Sequence, residues 1–259
     1  MQVGLIGCGN MARALARGWG RPLLCADPVA ARAQALAAEV GGEALTTNAL
    51  VAERAELVVL CHKPSQLDDV ARELAPHARA VASILAAVPL QGLRAAYPER
   101  PVYRFIPSLP VEVRQGAVVQ AADPSAAGAD EASPGGLDAS VSELFSELGT
   151  LVVLPDALLD VAMGLMSCAP AYVALVAEAQ VDAGVRRGIP AAQGAELVVQ
   201  TLAGTAELLR RRGYDTVAVR REVTSPGGVT ARGLDALERA GLRSAFSAAL
   251  DAVLADGLG

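Results

Sequence analysis

Apolar residues are distributed in two textures along this chain. In the first half, short continuous apolar runs alternate with helical patterns. Val3–Ile6 and stretches 22–26, 57–61, 81–85 and 102–106 read as buried strands, with shorter ones at 117–120 and 151–154. Residues 29–40 form an alanine-rich helical pattern that stops at Gly41-Gly42, and Thr47 or Asn48 caps another short helix. Strands alternating with helices predict a parallel, doubly wound sheet. Residues 121–140 carry Asp-Pro and Ser-Pro-Gly-Gly with little apolar content, which predicts a surface loop.

From Asp156 the strand-like runs end. Helical patterns cover 169–187, 190–212, 215–223 and 230–256, with Gly188-Ile189-Pro190 as a stop and restart. The expected division is therefore 1–155, a dinucleotide-binding α/β domain, and 156–259, an all-α domain. Residues 173–185 and 195–209 are apolar nearly all round, broken mainly by Glu178, Asp182, Glu196 and Glu207. Such helices want burial, and a domain of about 100 residues has too little interior to hide them all. Homodimerisation through this half is the simple expectation.

The first strand runs straight into Gly7-Cys8-Gly9-Asn10-Met11-Ala12, the G-x-G-x-x-A form of the dinucleotide fingerprint. Gly7 permits the tight turn, Gly9 leaves the pyrophosphate room, and Ala12 lets the helix pack on the sheet. The phosphates would sit on free N–H groups at the helix N-terminus. Asp27 closes the second strand 18 residues after Gly9, where a carboxylate accepts the ribose hydroxyls of NADH and meets a 2′-phosphate with like charge. Asp27 also reads as a helix N-cap before Pro28, and Arg32 could offset its charge, so NADH and NADPH both stay open. The run ending at Cys61 stops at His62-Lys63-Pro64, on the carboxyl side of the sheet. Lys63 could meet a phosphate or the nicotinamide ribose. His62 reads as a polar loop residue.

Composition narrows the function further. A net charge of −6 and a pI near 5.1 argue against nucleic acid and anionic membrane surfaces. Hydrophobic residues make up 53% of the chain but aromatics only 3%, so Ala, Val and Leu must build the core. No apolar stretch reaches the ~18 residues expected of a membrane span, and no basic signal-peptide start is seen. Cys8, Cys25, Cys61 and Cys168 are scattered and read as reduced thiols of a cytoplasmic protein. With only His62 and His77, no metal site is expected.

The second half carries Val223-Thr224-Ser225-Pro226-Gly227-Gly228-Val229-Thr230. Its glycines at the start of a helix make either an anion nest suited to a carboxylate or a plain capped turn. The tetrapeptide Ser133–Gly136 repeats the Ser225–Gly228 motif.

Three blocks together resemble the Δ1-pyrroline-5-carboxylate reductase family. They are residues 6–12; Pro170-Ala171-Tyr172 with Asp182-Ala183-Gly184-Val185 and Gly188-Ile189-Pro190; and residues 223–228 followed by Gly233-Leu234, Ala236-Leu237-Glu238 and Gly241-Leu242-Arg243. Lys63-Pro64 matches the family's lysine-proline, Asn48 its asparagine near the nucleotide, and the stretch 83–87 its small-residue strand end beside the nicotinamide.

The resemblance covers about residues 2–254. It implies a Rossmann domain, a helical dimerisation domain and a site shared across the dimer, with a higher oligomer left open. It implies reduction of a cyclic imine to L-proline by NADPH or NADH, hence proline biosynthesis. The cofactor would be held by Gly7, Gly9, Asn10, Met11, Ala12, Asp27, Asn48, Lys63, Pro64 and Ala86. The substrate carboxylate would lie on Ser225, Gly227, Gly228 and Val229, with Thr230 near the imine nitrogen as the catalytic residue.

The chain departs from the family at Ser108-Leu109, where two polar positions near the cofactor are usual, at Ser167-Cys168-Ala169, and at Val229. Two other readings therefore remain: a reductase of a different cyclic imine or keto acid on the same frame, and a nucleotide-binding paralogue without activity.

Overall fold

The computed structural model describes residues 1–122 and 136–255, in two compact units split at Pro170/Ala171. The first, residues 1–170 with the chain's last residues, holds an eight-stranded sheet in the order β3-β2-β1-β4-β5-β6-β7-β8. The strands are β1 (Val3–Ile6), β2 (Leu24–Ala26), β3 (Glu43–Ala44), β4 (Leu57–Leu60), β5 (Val81–Ser83), β6 (Val102–Pro107), β7 (Gly116–Ala122) and β8 (Gly149–Pro155). The order reverses between β1 and β4, and the first six strands are parallel. This is the doubly wound frame that the alternating pattern predicts.

The sheet is not parallel throughout. β7 pairs antiparallel with β6, and β8 runs parallel to β7. Only the 3-10 turn Leu109–Val113 separates β6 from β7, and so short a link permits an antiparallel neighbour but no crossover. Two cores flank the sheet. One packs α1 (Asn10–Trp19), α2 (Ala30–Val40) and α6 (Leu137–Ser146) on one face, with Trp19 edge-on to Phe145 and Phe105 stacked on it. The other packs α3 (Asn48–Arg54), α4 (Leu67–Leu74) and α5 (Leu90–Ala96) on the opposite face.

After β8 the chain turns through Asp156–Leu158 and α7 (Leu159–Ala162) into a π-helical turn, Met163–Ser167. Part of the expected loop 121–140, including Ser133-Pro134-Gly135 of the repeated tetrapeptide, lies outside the described residues; β7 reaches Ala122 and α6 starts at Leu137.

The second unit, residues 171–253, is helical: α8 (Ala169–Val185), α9 (Ala191–Arg211), α10 (Thr216–Glu222), α11 (Val229–Arg239) and α12 (Leu242–Ala255). The single helix expected over 230–256 is two. Gly241 at φ +81° breaks it, a conformation that costs glycine little. Asp215 caps α10, accepting from the N–H groups of Val217 and Ala218 at 3.0 and 2.9 Å.

The apolar helices are not buried within one chain. Among residues 171–253 only Gly194 and Val219 are buried, while Leu175 is 65% and Leu197 60% exposed. The expectation that no apolar run is long enough for a membrane also fails, because 156–185 form one continuous helical run long and apolar enough by length and composition. Composition alone does not separate a span from a helix that awaits an apolar partner, and Asp156 and Asp160 at its start are bound to an arginine.

Candidate functional site

The Gly7–Ala12 loop is built as the fingerprint demands. Gly7 sits at φ +94° and its N–H donates to the Ala26 carbonyl at 2.8 Å. A Cβ there would lie 2.8 Å from the Cys61 carbonyl oxygen, so only glycine lets the turn pass β4. Gly9 has nothing within 4 Å of its missing Cβ. It occupies the N-cap position of α1, and no side chain among the described residues caps that helix. Open space above Gly9 and uncapped first-turn N–H groups fit a pyrophosphate.

Asp27 is not the N-cap of α2 that the sequence suggests; Val29 holds that position. Instead the Asp27 Oδ2 accepts from the Cys8 N–H at 2.8 Å and its Oδ1 from the Val29 N–H at 2.8 Å. The carboxylate thus ties the end of β2 to the glycine loop. Thr47 caps α3, leaving Asn48 at its first position with Nδ2 donating to Glu73 at 2.8 Å. The Lys63 side chain is exposed, and its N–H donates to Gln66 Oε1 at 3.1 Å.

A cavity of about 220 Å³ opens at the carboxyl ends of β4, β5 and β6. Met11, Pro64 and Ala86 line it, joined by Pro107, Met163 and Ser167. The sequence patterns did not single out Met163, which reaches the cavity through the π-helical turn. The cavity wall is mostly apolar, and the Gly7–Ala12 loop borders it through Met11.

His62 also lines this cavity. Its Nδ1 lies 2.8 Å from the Lys63 carbonyl, and its Nε2 is buried without a partner among the described residues. Burial lowers its pKa, opposed by the Lys63 hydrogen bond, so the ring is neutral at pH 7. Beneath the loop, Cys8 and Cys25 are buried free thiols and Cys61 is half-buried. The neighbouring Cys25 thiol, with burial, pushes the Cys8 thiol up, and burial pushes up Cys61; neither is a ready nucleophile.

Ser108 is one of the departures from the family pattern. Its side chain is buried, its hydroxyl donates to the Ala117 carbonyl at 3.0 Å and accepts from the Ala117 N–H at 2.9 Å. The hydroxyl stitches β6 to β7 and is not offered to a ligand. Leu109 is exposed.

In the second unit, residues 225–228 form the turn before α11. Gly227 adopts φ +66°, and the Gly228 N–H donates to the Ser225 carbonyl at 3.0 Å. That bond takes Gly228 out of the set of free donors. Among the described residues no side chain caps α11, so the N–H groups of its first turn, at Val229 and Thr230, remain for an anion, with the Thr230 side chain exposed beside them. The Arg232 guanidinium donates to the Gly227 carbonyl at 3.2 Å and braces the turn.

Comparisons with known proteins agree with this arrangement. Residues 156–257 match the family described as pyrroline-5-carboxylate reductase dimerisation, and residues 2–87 that described as NADP oxidoreductase coenzyme F420-dependent. A pyrroline-5-carboxylate reductase from Synechocystis is 35% identical over 97% of this chain and 95% of its own length. The solved structure of 1-pyrroline-5-carboxylate reductase from Streptococcus pyogenes superposes with a TM-score of 0.87 at 26% identity, covering 99% of this chain and 97% of that one. The NADP-bound pyrroline carboxylate reductase of Plasmodium falciparum shares the fold, with a TM-score of 0.83 at 23% identity, covering 98% of this chain and 95% of that one. An uncapped dinucleotide loop, a dimerisation-type helical half and end-to-end similarity converge: the chain is a nicotinamide-dependent oxidoreductase and belongs to the pyrroline-5-carboxylate reductase family.

Proposed function

We propose that this protein reduces 1-pyrroline-5-carboxylate to L-proline with NADPH or NADH. The observation that carries this reading is end-to-end similarity at 35% identity to a pyrroline-5-carboxylate reductase, spanning both the Gly7–Ala12 loop and the 223–230 turn. Gly7, Gly9, Asn10 and Ala12 would seat the pyrophosphate, Asp27 the adenosine ribose, and Asn48 and Lys63 the outer contacts. Met11, Pro64 and Ala86 would surround the nicotinamide, because a dinucleotide lies across the strand ends with its two halves on either side of the switch point. Bound there, the reduced nicotinamide supplies a hydride.

The remaining work falls to anchoring. A protonated imine carbon is already electrophilic, so orientation can supply much of the rate. The turn Ser225–Gly228 and the first N–H groups of α11, at Val229 and Thr230, would hold the substrate carboxylate. The Thr230 hydroxyl would steady the ring nitrogen, which keeps its proton as the carbon takes the hydride. This leaves no step that demands a catalytic His, Asp or Lys.

The chain works, on this reading, as a cytoplasmic homodimer. Residues 1–155 bind cofactor, and residues 156–259 dimerise and hold substrate. The exposed apolar side chains of α8 and α9 support the dimer, and free thiols at all four cysteines fit a reducing compartment. The test is product identity. Incubation with DL-pyrroline-5-carboxylate and either cofactor should accumulate L-proline on chiral chromatography. Absence of proline with both cofactors, while cofactor binds, would favour a different imine.

A further inference from the structure

We propose that Arg104, through Asp156 and Asp160, is a positioning residue for the wall of the nicotinamide cavity, an inference that rests on the proposed mode of cofactor binding. Arg104 lies in the middle of β6 and is 1% exposed. Its Nη1 donates to Asp156 Oδ1 at 2.8 Å and its Nη2 to Asp160 Oδ1 at 2.7 Å. A longer bond, 3.3 Å, runs from Nη1 to the Asp156 carbonyl. The second carboxylate oxygen of Asp156 accepts the N–H of Leu90, the first residue of α5, at 2.9 Å. One guanidinium therefore fixes β6, the start of α5 and the entry to α7 to one another.

Beyond that entry the chain forms the cavity wall. α7 runs directly into the π-helical turn, closed by the Cys168 N–H on the Met163 carbonyl at 3.1 Å. The far end of the turn is tied back to β6, with the Ser167 hydroxyl donating to the Pro107 carbonyl at 3.0 Å. Arg104 and Pro107 belong to the same strand, so both ends of the segment are referenced to one rigid element. Met163 lies between these ties, Ser167 makes the second of them, and both line the cavity.

A π turn is uncommon and persists only where its surroundings fix it. A buried ion pair is a poor way to gain stability, because apolar residues of similar size do as well. Its directional bonds do specify one placement, and here that placement decides where Met163 and Ser167 meet a ligand. The hydrogen bonds of Asp27, on the adenosine side, go to Cys8 and Val29 and involve no member of this cluster.

The test separates the two ends of the cofactor. Affinities for NADPH and NADH, read by nicotinamide fluorescence, are compared with those for ADP-ribose and its 2′-phosphate, which lack the nicotinamide. Variants are Asp160→Asn, which leaves Arg104 one carboxylate, Arg104→Lys, which keeps charge without the fork, and Arg104→Met. Asp160→Asn is expected to weaken the whole cofactor about tenfold and lower kcat by about as much or more, with ADP-ribose affinity within about twofold of the parent. Arg104→Lys should recover part of what Arg104→Met loses in kcat.

Equal weakening of both probes in Asp160→Asn would make the cluster a general scaffold and overturn the proposal. So would parent values for both probes and for kcat in a folded Asp160→Asn protein, even if Arg104→Met fails to fold. A parent protein that binds ADP-ribose but no reduced nicotinamide would instead defeat the cofactor reading itself.

Discussion

The backbone N–H of Cys8 donates to the Asp27 carboxylate at 2.8 Å, so the residue proposed to meet the ribose also shapes the loop proposed to meet the pyrophosphate. Removing it has two separable effects. Asp27→Ala strands a part-buried N–H, which should cost about 1–3 kcal/mol in thermal or urea unfolding. On the proposed mode of cofactor binding it also removes a like charge that would face a 2′-phosphate, so the ratio of kcat/KM for NADPH to that for NADH should rise. An unchanged ratio would mean that Asp27 shapes the loop and does not select the cofactor.

Gly7 and Gly9 are two residues apart and should respond oppositely to alanine. At Gly7 a side chain meets backbone atoms of Cys61 and His62 within 3 Å, at φ +94°, so Gly7→Ala should lose on the order of 3 kcal/mol of stability. At Gly9 a methyl group meets no protein atom. Gly9→Ala should therefore keep its melting temperature while raising the cofactor Kd at least about tenfold, equivalent to about 1.4 kcal/mol. Differential scanning calorimetry and fluorescence titration read the two effects separately.

His62 gives a pH dependence of stability. Burial lowers its folded pKa below the ordinary value of 6.5, so the unfolded chain takes up the proton first as pH falls. Its contribution is full above 6.5 and is lost as pH drops from there toward the lower folded value. The melting temperature of the parent, minus that of His62→Val, should fall as the pH drops below about 6.5. A difference that stays flat with pH would show that the ring is not desolvated.

The helical half should need a partner. Leu175 and Leu197 are mostly exposed in one chain, and a glutamate at either would place a charge in any interface that covers it. Leu175→Glu with Leu197→Glu should shift the mass measured by light scattering from dimer to monomer. A dimer of unchanged stability would place the interface elsewhere.

Much of the fold was legible because its signals are local. The Val3–Ile6 run, the Gly7/Gly9/Ala12 spacing and the Gly41 stop act within a few residues, and strand, turn and helix fall where those residues demand. The antiparallel β7 was harder to read, because its direction depends on the length of the link at 109–113 and not on its own apolar pattern. The helix break at Gly241 was hidden for a different reason: Ala-rich sequence on both sides carries the same periodicity through it.

Within the candidate site, Met11, Pro64 and Ala86 were readable from motif and resemblance. The Arg104 cluster was not, since Asp156 and Asp160 lie 52 and 56 residues from the arginine and no local pattern marks an arginine inside a strand. The partner of Ser108 was not legible either, because what a hydroxyl bonds, here the Ala117 backbone across the β6–β7 pair, is a tertiary fact.

The sharpest test of the proposed reaction is the initial rate of NADPH and NADH oxidation with DL-pyrroline-5-carboxylate at neutral pH, for the parent, Thr230→Ala and Gly9→Trp. The parent should turn over and Gly9→Trp should lose cofactor binding. Thr230→Ala should keep cofactor affinity with kcat lowered about a hundredfold. A parent protein that binds reduced cofactor yet leaves pyrroline-5-carboxylate untouched would refute the proposed function.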